Sequence, residues 1–208
     1  MTATSHHPGL NLGASDTATH EAAQEVMFGF WIFLMSDLII FACLFATYTD
    51  LSLHGIATGP GPRAVVDLRS ALIETGLLLV SSYTFGLASL ALKYDTRPGQ
   101  MMGWLIVTLV LGLGFVGMEA RDFAILISKG ITPQQSGFLS GYFTLLATHG
   151  LHVIAAMVWL VVCLVQVVIL GLTKAVKLRL MRLALFWHML DIVWIGIFTF
   201  VFLIGAGL

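Results

Sequence analysis

Five long apolar stretches, at 26–49, 68–92, 101–127, 137–172 and 183–207, alternate with short polar links along the chain. About 20 apolar residues wound as a helix cross roughly 30 Å of hydrocarbon. Each stretch therefore predicts one span, and together they predict an all-α integral membrane bundle of five transmembrane helices. The fourth stretch is longer than a crossing needs, which predicts a tilt or a protruding first turn. Helix breakers punctuate the links: Gly59-Pro60-Gly61-Pro62 in the first, Asp95-Thr96-Arg97-Pro98-Gly99 in the second, Gly130-Ile131-Thr132-Pro133 in the third. Residues 1–25 read as a polar N-terminal tail, and 26–208 as one transmembrane domain without internal repeat. Cleaved signal peptides start basic and have a shorter apolar core; residues 1–25 contain no Lys or Arg, so the first span is expected to be retained.

Composition agrees with the pattern. Of 208 residues, 58% are hydrophobic and 10% charged, and the mean hydropathy is +0.95, whereas soluble domains carry about 25% charged residues. Too few charged side chains are present to cover the surface of a soluble domain of this size. A formal net charge of −1 offers no field for nucleic acid, so that partner class is excluded. Cys43 and Cys163 lie in apolar segments, where a thiol behaves as a small hydrophobe.

Orientation follows from Lys and Arg, which concentrate in cytoplasmic links. The second and fourth links carry Lys93, Arg97, Lys174, Lys177, Arg179 and Arg182; the first and third carry Arg63, Arg69, Arg121 and Lys129. The bias puts the N-terminus in the cytoplasm and the C-terminus on the opposite, periplasmic side.

Ionisable groups inside a bilayer must be neutral, paired or hydrated, which marks each as a functional candidate. Asp37 lies deepest, roughly 16 Å along the first helix at 1.5 Å per residue. It is either an acid that fixes helix packing or a proton-linked group, and the residues leave both open. Glu74 precedes Thr75, Ser81 and Ser82, small hydroxyl residues that bond across helices, and reads as part of that packing set. Glu119 and Asp122 share a face at i, i+3 with Arg121 between them, which predicts an ion-paired cap. His149 and His152, and His188 and Asp191, also stand at i, i+3. Such histidines can ligate haem or copper, but no recognisable copper ligand set accompanies them; His188 with Asp191 reads better as a hydrogen-bonded pair orienting the fifth helix. Trp31, Trp104, Trp159, Trp187 and Trp194 suit interface anchoring or core packing, and His6, His7 and His20 a solvated tail. No phosphate loop, Ser/His/Asp order or Cys-x-x-Cys is present. A small transporter using Asp37 and Glu74 would need inverted repeats and broken helices, and neither is legible.

Five segments in order carry a resemblance: Phe28-Gly29-Phe30-Trp31-Ile32-Phe33-Leu34-Met35-Ser36-Asp37, Glu74-Thr75-Gly76-Leu77-Leu78-Leu79-Val80-Ser81-Ser82, Gly117-Met118-Glu119, Thr148-His149-Gly150-Leu151-His152-Val153, and Phe186-Trp187-His188-Met189-Leu190-Asp191-Ile192-Val193-Trp194. From Phe28 onward the chain resembles subunit III of haem–copper oxidases. Members that serve cytochrome c usually have seven spans; five spans, the wording around Asp37 and the Gly137-Phe138-Leu139-Ser140 run look like the bo-type ubiquinol oxidase branch. The resemblance implies a non-redox accessory subunit in the bacterial inner membrane, with no catalytic, cofactor-binding or metal residues of its own. Haem and copper would reside in catalytic subunit I, its main contact, with subunit II and a small subunit IV as further partners and phospholipid bound. It implies that Asp37 stands where the family has a carbodiimide-reactive carboxylate, usually Glu. Asp37, Glu74 and Glu119 would then be proton-linked or structural, and His149, His152, His188 and Asp191 structural. Subunit III of a cytochrome-c oxidase is the alternative.

Overall fold

The structure, a computed structural model, describes residues 17–55, 61, 65–93 and 98–207. Five helices dominate: α1 Thr17–His54, α2 Leu68–Lys93, α3 Pro98–Ser128, α4 Gly137–Leu170 and α5 Lys174–Ile197. A 3-10 turn at Pro133–Gln135 precedes α4, and α5 continues through a π-helical turn, Phe198–Leu203, into a last helical turn at Ile204–Gly207. Five segments are long and apolar enough to cross a membrane: Glu25–His54, Leu68–Leu92, Gly99–Ser128, Gly137–Leu170 and Lys174–Leu203. No strand occurs among the described residues. Most of residues 1–25, the breaker at 59–62 apart from Gly61, and residues 95–97 lie outside the described residues.

The third link stops its helix as its residues predict. Gly130, at φ 77°, lets Ile131 N–H reach Leu126 O at 3.0 Å and Gly130 N–H reach Ile127 O at 2.9 Å, a Schellman closure that satisfies two terminal carbonyls. Ser136 then caps α4 by accepting from Leu139 N–H at 3.2 Å. The fourth link differs from expectation. Only residues 171–173 separate α4 from α5, and the basic cluster from Lys174 to Arg182 forms the first turns of α5. Gly171, at φ 68°, ends α4, while Thr173 accepts from Val176 N–H and starts α5; Lys, Leu, Arg and Met are good helix formers, so the helix begins at the cap and not at the apolar run.

α1 sits at the edge of the bundle. Its buried residues, Leu34, Asp37, Phe41 and Tyr48, fall on one narrow stripe of heptad-like spacing, and that stripe packs on α4 and, to a lesser extent, α5. α5 is central, touching α1, α2 and α4, and α2 packs most closely on α3. The core is aromatic: Phe115 meets Trp194 edge to face, with centroids 4.7 Å apart. Trp187 and Trp194 are buried, Trp159 packs partly buried against Phe30 and Phe186, and Trp31 is half exposed.

Hydroxyl residues on α2 join it to its neighbours. Trp194 Nε1–H donates to Thr75 Oγ1 at 3.0 Å and Trp187 Nε1–H to Ser81 Oγ at 3.1 Å. These hydroxyls pass their own hydrogens to Ala71 O and Leu78 O. Thr84 and Thr108 bring their hydroxyl oxygens to 2.8 Å between α2 and α3. Without a hydrophobic driving force between helices in lipid, such bonds and close packing hold a bundle together.

Gly112 makes room for one of these indoles: a Cβ there would lie 3.0 Å from Trp187 Cη2 and 3.2 Å from Met157 Sδ. Gly112→Ala is expected to destabilise the bundle by about 1–3 kcal/mol, the usual cost of overpacking. Thermal unfolding followed by tryptophan fluorescence checks this; an unchanged melting temperature would contradict the packing.

Candidate functional site

One turn of α4 gathers polar groups from three other helices. His149, fully buried, donates from Nε2 to the backbone carbonyl of Leu190 on α5 at 3.2 Å. Its ring is enclosed by Trp194, Phe115 and Phe41, at centroid distances of 5.2, 5.8 and 6.4 Å, and its Nδ1 has no partner. Gly150, the next residue, lies against the carboxyl of Glu119 from α3; a Cβ at Gly150 would fall 2.5 Å from Glu119 Oε2. His152 Nε2 is 3.2 Å from Asp37 Oδ1 on α1. The segment Thr148-His149-Gly150-Leu151-His152 is thus the point at which α1, α3 and α5 meet α4.

The tautomer of His152 follows from geometry. Its Nδ1 is 2.7 Å from the carbonyl oxygen of Thr148, and a carbonyl only accepts, so Nδ1 carries a hydrogen. One proton then bridges Nε2 and Asp37 Oδ1, as imidazolium with carboxylate or as imidazole with carboxylic acid. Either form leaves the pair neutral, which removes the cost of an isolated charge in hydrocarbon. Asp37 Oδ2 has no hydrogen-bond partner. Phe41 covers the pair from α1, 5.2 Å from the His152 ring.

His188 and Asp191 are not bonded to each other. His188 Nδ1 is 2.7 Å from Ser82 Oγ on α2, and the Asp191 carboxyl lies near that same hydroxyl. Asp191 Oδ1 is buried without a partner.

The expected ion-paired cap on α3 is absent: Arg121 pairs with neither Glu119 nor Asp122 within salt-bridge distance. Residues at i, i+1 and i, i+2 do not face each other on a helix. Glu119 turns into the bundle, where it is 5% exposed, and Arg121 is exposed. Glu74 is also buried, at 3%, with Oε1 unpartnered; the bonds between helices are made by its neighbours Thr75, Ser81 and Ser82. Glu74 and Glu119 instead line one pocket of about 290 Å³ between α2, α3 and α4.

Several functional contacts escape a reading of residues alone, though one signal for them exists. Thr75 and Ser82 stand seven residues apart on α2, as do Trp187 and Trp194 on α5, and the equal spacing lets 75 meet 194 at one end of the seam while 81 and 82 meet 187 and 188 at the other. The π-helical turn has no such signal, since Phe198–Leu203 contains neither Gly nor Pro.

No three His, Cys, Asp or Glu side chains converge on a metal position among the described residues. The family described as cytochrome c oxidase subunit III matches residues 11–206. The chain belongs to that subunit III family. Among its relatives, a cytochrome bo(3) ubiquinol oxidase subunit 3 of Pseudomonas aeruginosa is 46% identical over 195 residues, covering 94% of this chain and 92% of the relative. A probable quinol oxidase subunit 3 of Staphylococcus haemolyticus is 42% identical, covering 91% and 94%, and a cytochrome bo(3) ubiquinol oxidase subunit 3 of Buchnera aphidicola is 42% identical, covering 86% and 91%. Asp37 and the Thr148–His152 turn lie within the matched residues.

The Asp37–His152 bridge predicts strong coupling. Asp37→Leu and His152→Leu should each destabilise the bundle by leaving the other group unpaired, whereas the double variant should lose less than the two single losses combined, with a coupling of about 0.5–2 kcal/mol. A thermal-unfolding double-mutant cycle measures it, and strict additivity would break the bridge.

Proposed function

We propose that the chain is the non-redox accessory subunit III of a proton-pumping respiratory ubiquinol oxidase of the haem–copper, cytochrome bo type. The observation that carries this is the match of quinol-oxidase third subunits over nine-tenths or so of both chains, with the five spans making up most of that length. The complex oxidises ubiquinol, reduces dioxygen to water and moves protons outward, with haem and copper in catalytic subunit I. This chain packs against subunit I and is accompanied by subunit II and a small subunit IV. Many of its polar side chains bond helix to helix inside the bundle, which suits a scaffold that steadies the catalytic subunit and its proton uptake more than a redox centre. The cytochrome-c oxidase alternative has less support, because these relatives are named for quinol.

The same reading places the chain in the bacterial inner membrane with phospholipid bound. The N-terminus is cytoplasmic and the C-terminus periplasmic. The basic turns at the start of α5, Lys174, Lys177, Arg179 and Arg182, support that orientation. They oppose the dipole of their own helix, and an anionic cytoplasmic leaflet compensates by attracting them.

Affinity purification through this chain should bring down a large haem-containing subunit, while the chain expressed alone shows no haem absorbance. Stoichiometric haem on the isolated chain would overturn the proposal. Within the complex, Asp37→Ala is expected to leave haem content unchanged and to shorten sustained turnover several-fold, read as oxygen consumption over successive minutes. Reporter fusions at both ends test the orientation, and a cytoplasmic C-terminus contradicts it.

A further inference from the structure

The pocket lined by Glu74 and Glu119 is unlike the rest of the bundle interior. It lies among the beginning of α2, the last turns of α3, the beginning of α4 and the π-helical turn after α5, so it opens at the end of the bundle where the first and third links run. Its floor holds two carboxyl groups that are 97% and 95% buried, each with one oxygen lacking a hydrogen-bond partner. Asp122 and Asp67 lie near enough to Glu74 to deepen the negative potential there. Aromatic side chains complete the wall: Tyr142, Phe123 and Phe202, the last carried in by the π-helical turn. Two cations, Arg121 and Lys129, line the exposed side, and neither forms an ion pair with these acids. The site therefore sets two buried acid groups with unpartnered oxygens beneath two cations that pair with neither of them.

Each class of ligand can be weighed against those groups. A bare anion suits Arg121 and Lys129 but meets carboxyl groups below them. A metal ion wants at least three converging ligands, and the described residues offer no such set. Unsatisfied carboxyl oxygens beside aromatic faces are what an ammonium group requires, through charge-assisted N–H donation and attraction to the rings. Cations at the rim then call for an anion a short distance away on the same molecule. We propose that this pocket binds a zwitterionic aminoalkyl phosphate, with Glu74 and Glu119 accepting from the ammonium and Arg121 and Lys129 holding the phosphate. Such a group comes either from an aminophospholipid of that leaflet, whose chains would run over Ile125 and Leu126, or from a soluble phosphoethanolamine. The inference rests on side chains of this chain alone and does not depend on the electron donor of the complex.

The test uses the complex purified through this chain and exchanged into nanodiscs of phosphatidylglycerol containing a minor fraction of phosphatidylethanolamine. Native mass spectrometry then reads which lipid stays on this subunit. Wild type should retain phosphatidylethanolamine over phosphatidylglycerol by about tenfold or more, the effect expected of one or two charge-assisted bonds. Glu74→Gln and the rim double variant Arg121→Gln with Lys129→Gln should each reduce that preference at least several-fold. If Glu74→Gln does not assemble, the rim variant decides alone, because Arg121 and Lys129 are exposed. Displacement of the retained lipid by soluble phosphoethanolamine, or retention of phosphoethanolamine itself in phosphatidylglycerol discs, assigns the same chemistry to the soluble source. Equal retention of the two lipids with no binding of phosphoethanolamine, or a preference indifferent to the rim variant, overturns the proposal.

Discussion

A single turn of α4 carries the constraint on which the bundle depends. His149 reaches the Leu190 carbonyl of α5, Gly150 admits the Glu119 carboxyl of α3, and His152 meets Asp37 of α1. In hydrocarbon there is no water to satisfy these groups, so each must find its partner within the protein or leave a polar atom stranded. Three helices are thereby referred to the same four residues. α1 depends on this most, because it has one narrow buried stripe and the Asp37–His152 bridge ties that stripe to α4.

A second set of bonds, along α2 and α5, works differently. Trp194 with Thr75, Trp187 with Ser81, and His188 with Ser82 form a ladder in which bulky side chains meet small hydroxyls. The Thr75 and Ser81 hydroxyls in turn bond to their own helix. No charge is buried by this arrangement, and the two helices can approach closely wherever the hydroxyl residue is small. The bundle thus gathers its ionisable groups at the α4 turn, in the Glu74–Glu119 pocket and at His188 and Asp191 beside Ser82, and builds much of the remaining interior from hydroxyls and aromatic rings.

Such an interior fits a subunit that supports redox chemistry in a neighbour. Histidine nitrogens turned to backbone carbonyls, a serine or a carboxylate are committed to holding helices in place. The pocket between α2, α3 and α4 is the exception, since its carboxyl groups line an open space and have unpartnered oxygens.

Much of this protein is determined by the chain read as a string. Five apolar runs of crossing length dictate five helices, because a backbone in lipid has to bond within its own segment. Gly130 and Pro133, and Gly171 with Thr173, mark the ends of those helices through local φ values and caps. Asp37, Glu74, Glu119, His149, His152, His188 and Asp191 stand out from composition alone, since ionisable groups are rare in such runs. Partners were another matter. That Asp37 meets His152, that Ser82 lies near both His188 and Asp191, and that Glu119 leaves Arg121 for Gly150 depend on how helices distant in sequence are rotated and set against each other. Helical spacing tells which residues share a face; it does not tell which other face they meet. The π-helical turn belongs to the same category, for its residues are ordinary helix formers and only the packing of Phe202 against Trp194 and the pocket distinguishes it.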